Sequence, residues 1–406
     1  MAEGQSSRAQ LAPRMQRVRP SPTAAISDKI RALRAAGHSI INLGEGELDF
    51  DTPDHVKRAG MQAIQDGETK YTAVSGTQAL KEAIVEKFRV ENGLTYALNE
   101  VIAGTGAKQI IFNAFLATVT MGDEVIVPAP HWVSYPDMIA LADGTSCIVP
   151  CEENANWKLR PEALAAGITP RTRWLVLNSP NNPTGAIYSR EELAVLAKVL
   201  LEHDDILVLA DDIYEHMRYV GDFATIAQVE PRLRDRTLTV NGVSKAYSMT
   251  GWRLGYGAGP AWLISAIDTL QSQSTSNPSS ISQAATVHAL KGGTAFMKEW
   301  IDELRARRDQ AVSILNKAKG LRCTAPDGAF YLFANCAGTL GRRAPDGRII
   351  ENDFMFANYL LDSAGVGTVH GSAFGAPQYI RVAYAVDRDV LTKACERIVE
   401  ACAVLT

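Results

Sequence analysis

From about residue 100 the chain repeats one pattern, a short apolar strand, a polar loop and an amphipathic helix, and this alternation limits the fold more than any other feature. Residues 100–103 read as a strand ending in the turn Gly104-Thr105-Gly106, which opens a helix over about 108–119. Residues 124–127 run into Pro128-Ala129-Pro130-His131-Trp132, and 174–177 into Ser179-Pro180-Asn181-Asn182-Pro183-Thr184-Gly185. The run 206–210 is wholly apolar and stops at Asp211 and Asp212. A strand over 237–240 leads through a turn to Lys245, and Arg253 precedes one more strand over 254–258. Runs this apolar are covered on both faces, so the expectation is an α/β protein with a mostly parallel sheet between helices. Ligands of such sheets sit beyond the carboxyl ends of the strands. The polar positions at 106–108, 132, 182, 211 and 245 are therefore expected to converge on one cleft.

The flanking segments differ in texture. Residues 1–20, with Arg8, Arg14, Arg17 and Arg19 against the single acid Glu3, read as a mobile arm with a faint likeness to a transit peptide. Ser27 is expected to cap a short helix that stops at Gly37, with a strand over 39–43 after it. Thr52 and Pro53 open a helix to about residue 66, and Leu80, Ile84 and Phe88 mark another that ends at Gly93. Ser189 and Glu192 form a capping box. Beyond Lys291-Gly292-Gly293 the pattern suggests a smaller α+β unit: a long helix over 294–319, a strand over 329–333, a helix over 352–361, a strand over 379–383 and a last helix from 387. The chain thus divides into a large domain at 48–292 and a small domain at 21–47 and 293–406. Arg381 interrupts the apolar strand Tyr-Ile-Arg-Val-Ala-Tyr, and a buried guanidinium calls for an anion.

With 406 residues, 46% of them hydrophobic, there is ample core for two domains, and a net charge of −4 offers no bulk attraction to nucleic acid or to an acidic membrane. The six cysteines include no C-x-x-C pair and no nearby histidines at ligand spacing, so neither disulfides nor a metal is expected. No apolar run has the length of a membrane span or signal peptide, and the expected location is cytoplasmic.

Lys245 sits at a strand-to-turn junction where apolar surroundings can desolvate an ammonium and make it a nucleophile or base. If it forms a Schiff base with an aldehyde cofactor, the site also needs a phosphate cradle, a carboxylate for a ring nitrogen, donors for a ring oxygen and a stacking face. Gly106, Ala107 and Lys108 open a helix and offer free N–H groups to a phosphate, and Arg253 can add a fork of donors. Asp211 can keep a pyridine nitrogen protonated so that the ring acts as an electron sink. Asn182 and Tyr214 can address the ring oxygen, and Trp132 can stack.

Ser179-Pro-Asn-Asn-Pro-Thr-Gly185, Asp211-x-x-Tyr214, Ser244-Lys245 with Gly251-Trp-Arg253, and the late Arg381 together resemble the class I aminotransferases of the fold-type-I pyridoxal 5′-phosphate (PLP) enzymes. The resemblance covers nearly the whole chain. It is greatest to the bacterial branch of aspartate aminotransferases, through Gly46-Glu-Leu-Asp-Phe-Asp-Thr-Pro53, Thr69-Lys-Tyr71, Gly106-Ala-Lys-Gln109, Trp132-Val-Ser-Tyr-Pro136 and Gln273-Ser-Thr275. It implies a seven-stranded sheet in the large domain and a PLP/PMP ping-pong cycle from L-aspartate to 2-oxoglutarate. Lys245 would hold PLP and shuttle the Cα proton, Asp211 would pair with the ring nitrogen, and Asn182, Tyr214 and Trp132 would keep the roles above. Gly106, Ala107, Lys108 and Arg253 would surround the phosphate. Tyr71 would reach the phosphate of a neighbouring subunit, which implies a homodimer with shared sites. Arg381 would clamp the substrate α-carboxylate, helped by Asn182, Trp132 and the backbone at Gly46, on a small domain that closes over the substrate.

For the distal end of the substrate the resemblance points to Lys108, associated with dicarboxylates, and to Arg19, where some relatives carry a basic residue linked to prephenate. His131 stands where a tyrosine is common, and His370 lies in a loop expected near the substrate entrance. An aromatic or prephenate aminotransferase, or a β-lyase, is the alternative within PLP chemistry. A nicotinamide dehydrogenase fits poorly, because Gly104-Thr-Gly-Ala-Lys-Gln109 lacks the third small residue and a ribose-binding acid about 20 residues on. A PLP-sensing regulator would need an appended DNA-binding module, for which no segment is evident.

Overall fold

The computed structural model describes residues 11–406, so Glu3 and Arg8 of the expected arm lie outside the described residues. The strands are β1 (Ile41–Asn42), β2 (Val101–Gly104), β3 (Glu124–Ala129), β4 (Thr145–Pro150), β5 (Thr172–Asn178), β6 (Leu207–Asp211), β7 (Thr237–Gly242), β8 (Gly255–Ala258), β9 (Tyr331–Asn335), β10 (Val366–Gly367), β11 (Val369–His370) and β12 (Tyr379–Ala383). Seven of them form one sheet in the order β2-β8-β7-β6-β5-β3-β4. β8 runs antiparallel to both neighbours and the rest are parallel.

Successive side chains of a strand face opposite sides. In β5 and β6, Trp174, Val176, Leu207 and Leu209 join one apolar cluster with Ile110, Phe115 and Ile139 from helices on one face. Leu175, Leu177, Val208 and Ala210 join another with Leu193, Leu196 and Leu200 on the other face. Both faces are covered, and for that reason these strands read as continuous apolar runs rather than as alternating ones.

A three-stranded antiparallel sheet, β11-β12-β9, stands apart from the large one, and β1 pairs with β10. Its core draws on the helices Met297–Leu315 and Arg388–Ala403 and reaches across to Tyr214, Met217 and Tyr219. Among the described residues no helix is long and apolar enough to cross a membrane.

Several local expectations need correction. The first helix spans Pro22–Ala35 with Ser21 at its N-cap, because Pro22 presets the first turn; Ser27 is a buried mid-helix residue facing inward with Ile30. Thr52 does not cap the next helix, Asp54–Gln65; its hydroxyl donates to the Ser248 carbonyl (2.7 Å) and accepts from Trp252 Nε1 (3.2 Å). The strand expected at 329–333 begins at Tyr331, since Ala329 lies at φ +53, outside the extended region. The strand at 39–43 shortens to Ile41–Asn42, and the edge strand β4 was not anticipated. The capping box at Ser189 and Glu192 is present, as is the Gly93 stop.

Candidate active site

β5 and β6 end level, Asn178 opposite Asp211, β7 runs on past Val240 to Gly242, and the loops that follow open into a cleft of about 390 Å³. Gly46, Gly106, Ala107, Lys108, Trp132, Asn182, Asp211, Tyr214, Lys245, Arg253 and Arg381 all line it. Tyr71 and Arg19 do not. Tyr71 is 91% exposed, and Arg19 is exposed beside Asp137.

β7 passes directly into the short helix Val243–Ala246, which carries Lys245 to the cleft. Its Nζ donates to the Gly46 carbonyl at 2.5 Å. Packed protein around the amine pushes its pKa down to about 8, against the opposing pull of Glu47. A Cβ at residue 46 would collide with the Tyr331 hydroxyl, so glycine is required for the backbone to come this close.

Asp211 is buried at the end of β6, and burial raises its carboxyl to about 6. Oδ2 accepts from the Tyr135 hydroxyl at 2.5 Å, while Oδ1 is buried without a hydrogen-bond partner among the described residues. Asn178 Nδ2 donates to the Asp211 carbonyl (2.8 Å), and Asn178 Oδ1 accepts from the Asn182 N–H (2.9 Å). The two loops are thus held to each other.

Gly106, at φ +85, precedes the helix Ala107–Thr118 and leaves that helix's first N–H groups facing the cleft. A Cβ at 106 would stand 2.6 Å from Arg253 Nη2, so the guanidinium packs directly over this turn. Lys108 Nζ lies 4.9 Å from the Trp132 ring, its pKa lowered by burial and by nearby Arg253.

Arg381 enters from β12. Nη1 donates to Asn182 Oδ1 (2.8 Å) and Nη2 to the Gly44 carbonyl (2.6 Å), with the Tyr331 and Phe374 rings 4.4 and 5.0 Å away. Among the described residues its Nε has no partner. The Tyr214 and Tyr331 hydroxyls are 2.7 Å apart.

His131 and His370 are not among the cleft residues. His131 is buried, its Nδ1–H donating to the Trp132 carbonyl at 3.0 Å, and burial lowers its pKa. His370 packs edge-on against Phe354 with Nδ1 3.9 Å from Asp353.

Tyr135, Asn178, Tyr331 and Thr23 were missed by sequence reading. Tyr135 lies inside the Trp132-Val-Ser-Tyr-Pro136 motif, which was its only signal. Thr23 was passed over in favour of Arg19, yet it is Thr23 that lines the cleft.

A lysine desolvated toward nucleophilicity at the ligand edge of an α/β sheet, facing a fixed guanidinium, characterises enzymes that act on carboxylate-bearing amines or carbonyl compounds. The comparisons narrow this class. The model of the family described as aminotransferase class I and II matches residues 38–398, and the chain belongs to that family, whose members use PLP. An aspartate/prephenate aminotransferase of Cereibacter sphaeroides is 53% identical over 391 residues, 96% of this chain and 98% of the relative. The crystal structure of an aspartate aminotransferase from Rhizobium meliloti superposes with a TM-score of 0.94 at 50% identity, covering 98% of this chain and 100% of that one. The aspartate aminotransferase of Thermus thermophilus with maleate gives 0.90 at 41% identity, covering 97% and 100%. The protein is an aminotransferase.

Proposed function

We propose that this aminotransferase moves the amino group of L-aspartate to 2-oxoglutarate in a ping-pong cycle on PLP. Lys108 carries the choice of donor. Its ammonium stands in the cleft beside Trp132, and among the described residues no carboxylate pairs with it. Arg381 is a second cation, fixed by Asn182 and Gly44. A substrate with a carboxylate at each end suits two such cations, whereas an apolar end would forgo the charge-assisted contact that Lys108 offers. The maleate in the Thermus relative, a dicarboxylate, supports this reading.

The residues present fit the cofactor. Asp211 Oδ1, buried and unpartnered, is an acceptor waiting for a ring N–H, with Tyr135 steadying the other oxygen. The Gly106 turn, the N–H groups from Ala107 onward and Arg253 suit a phosphate. Asn182 Nδ2 and the Tyr214 hydroxyl remain for the ring oxygen, and Trp132 offers a face. When bound, PLP supplies the electron sink for charge developing at the substrate Cα. Lys245 would hold the cofactor through its Nζ, and the same amine would carry the proton between the substrate Cα and its own nitrogen. Arg381 orients the α-carboxylate, with the Gly46 backbone beside it. Residues 21–47 and 293–406 form the small domain that closes on substrate and excludes water. The working unit is a homodimer in which exposed Tyr71 serves the partner's phosphate site.

Borohydride reduction followed by peptide mapping should label Lys245, and a label on any other lysine refutes the site. A panel of amino and oxo acids tests the donor: comparable kcat/KM for aspartate and phenylalanine would overturn the dicarboxylate reading, and pyruvate released without an oxo-acid acceptor would mark a β-lyase. Prephenate belongs in the panel, because the Cereibacter relative carries it in its name and it too is a 2-oxo acid with a second carboxylate.

A further inference from the structure

Tyr331 has no place in the roles assigned above, although it touches three of the groups that hold them. It sits fully buried at the start of β9, opposite Ala383 of β12, and its side chain faces the cleft. Its ring lies 4.4 Å under the Arg381 guanidinium carbon, its hydroxyl meets the Tyr214 hydroxyl at 2.7 Å, and the same hydroxyl abuts Gly46, whose carbonyl receives Lys245.

Either hydroxyl can donate in this contact, and only donation by Tyr331 leaves the Tyr214 hydrogen free. Burial raises both phenols above their ordinary value, so each keeps its proton at neutral pH. Two hydroxyls in contact form one hydrogen bond between them, and the accepting hydroxyl keeps a hydrogen for another partner. No other hydrogen bond is made by either hydroxyl among the described residues. If Tyr331 donates to Tyr214, the Tyr214 hydrogen is left for the cleft, and a hydroxyl that accepts one bond is a stronger donor in the next.

We propose that Tyr331 is a positioning residue with two separable parts: its hydroxyl donates to Tyr214 and strengthens that residue as donor to the cofactor's ring oxygen, and its ring face seats Arg381 for the substrate carboxylate. The proposal rests on the reading of Tyr214 given above and extends it to a residue outside that reading. One strand end thereby serves both the cofactor side and the substrate side of the cleft. The charged groups around the pair are Arg381 on β12, Asp211 on β6 and Lys245 after β7. None of them is altered in the variants below, so a change in titration reports on the hydroxyl pair.

The test is a pH titration of the visible band of PLP-loaded enzyme, together with steady-state constants, for Tyr331→Phe, Tyr331→Leu and Tyr214→Phe. A weaker donor at the ring oxygen leaves that oxygen more basic, so the proton held beside it is released at higher pH. Tyr331→Phe should raise the band's midpoint by about 0.5 to 1 unit, the worth of one hydrogen bond, with the KM for aspartate little changed. Tyr214→Phe should raise it further, and adding Tyr331→Phe to that variant should produce no additional shift. Tyr331→Leu should match the phenylalanine variant in midpoint and in addition raise the KM for aspartate about tenfold, as the ring beneath the guanidinium is lost. A midpoint that moves in Tyr214→Phe and stays put in Tyr331→Phe overturns the inference alone. A midpoint unmoved in both overturns it together with the role given to Tyr214.

Discussion

Lys245 and Arg381 are two cations buried on opposite sides of one chemistry, and the chain treats them differently. Among the described residues Lys245 has a single acceptor, the Gly46 carbonyl, and surroundings that push its pKa down to about 8. Arg381 is the more deeply enclosed of the two, and it meets the Asn182 side chain, the Gly44 carbonyl and two aromatic faces. Burial lowers the pKa of both, yet a guanidinium starts so far above neutrality that it keeps its charge, whereas an ammonium is brought within reach of neutrality. Low dielectric therefore makes a nucleophile of one and demands partners for the other. The partners of Arg381 are neutral dipoles, which hold the cation in place without cancelling its charge, and that charge is left for a carboxylate.

The contrast can be broken at either end. Removing the amine altogether, Lys245→Ala, should lower turnover of aspartate by at least about 10⁴-fold, since nucleophile and proton carrier are lost together, and single-turnover kinetics would read this. Arg381→Leu should lower kcat/KM for every α-amino acid by roughly 10²- to 10³-fold, the cost of deleting a buried charged partner. Arg381→Lys sharpens the point: an ammonium placed there should be neutralised by the same burial that acts on Lys245, leaving the variant within about fivefold of the leucine one. A lysine variant that retained most activity would show that charge, rather than the fixed fork, is what this wall supplies. Lys108→Ala should cost aspartate about tenfold in kcat/KM and leave phenylalanine nearly unaffected, as expected for one charge-assisted contact. The smallest effect is in pH. The amine of the cofactor-free protein is protonated below its pKa and free above it, so the rate of PLP capture should rise about fivefold between pH 7 and 8 and level off beyond pH 9. A flat profile would mean that Lys245 is not the titrating nucleophile.

The parts of this site that sequence made legible are those carried by short-range pattern. The apolar run before Asp211, the glycine turn at 106 and the lysine after β7 each announce a strand end, and parallel topology brings strand ends together without further information. The unread parts depend on contacts between distant segments. Tyr135 reaches Asp211 across 76 positions, and Tyr331 reaches Tyr214 across 117, with no local feature to distinguish either from an ordinary core aromatic. Ser27 shows the same gap in a smaller way. It has the right chemistry for a cap, but Pro22 starts the helix earlier and Ser27 turns inward on the face that carries Ile30. His131 departs from the family pattern and His370 lies in a loop expected near the substrate entrance, yet their side chains meet the Trp132 carbonyl and Asp353, outside the cleft lining.

The Gly46 carbonyl and Lys245 lie 199 positions apart in the chain, and Tyr331 and Arg381, which enclose the same space, come later still. When Lys245 is made, Gly46 already precedes it in the chain, but Tyr331 and Arg381 do not yet exist. The lysine is then an ordinary solvated ammonium, protonated at cellular pH and indifferent to the aldehydes of metabolism. The C-terminal strands bring Tyr331 and Arg381 to the cleft, so the desolvation and the neighbouring charge that lower the amine's pKa are complete only once the last strands have docked.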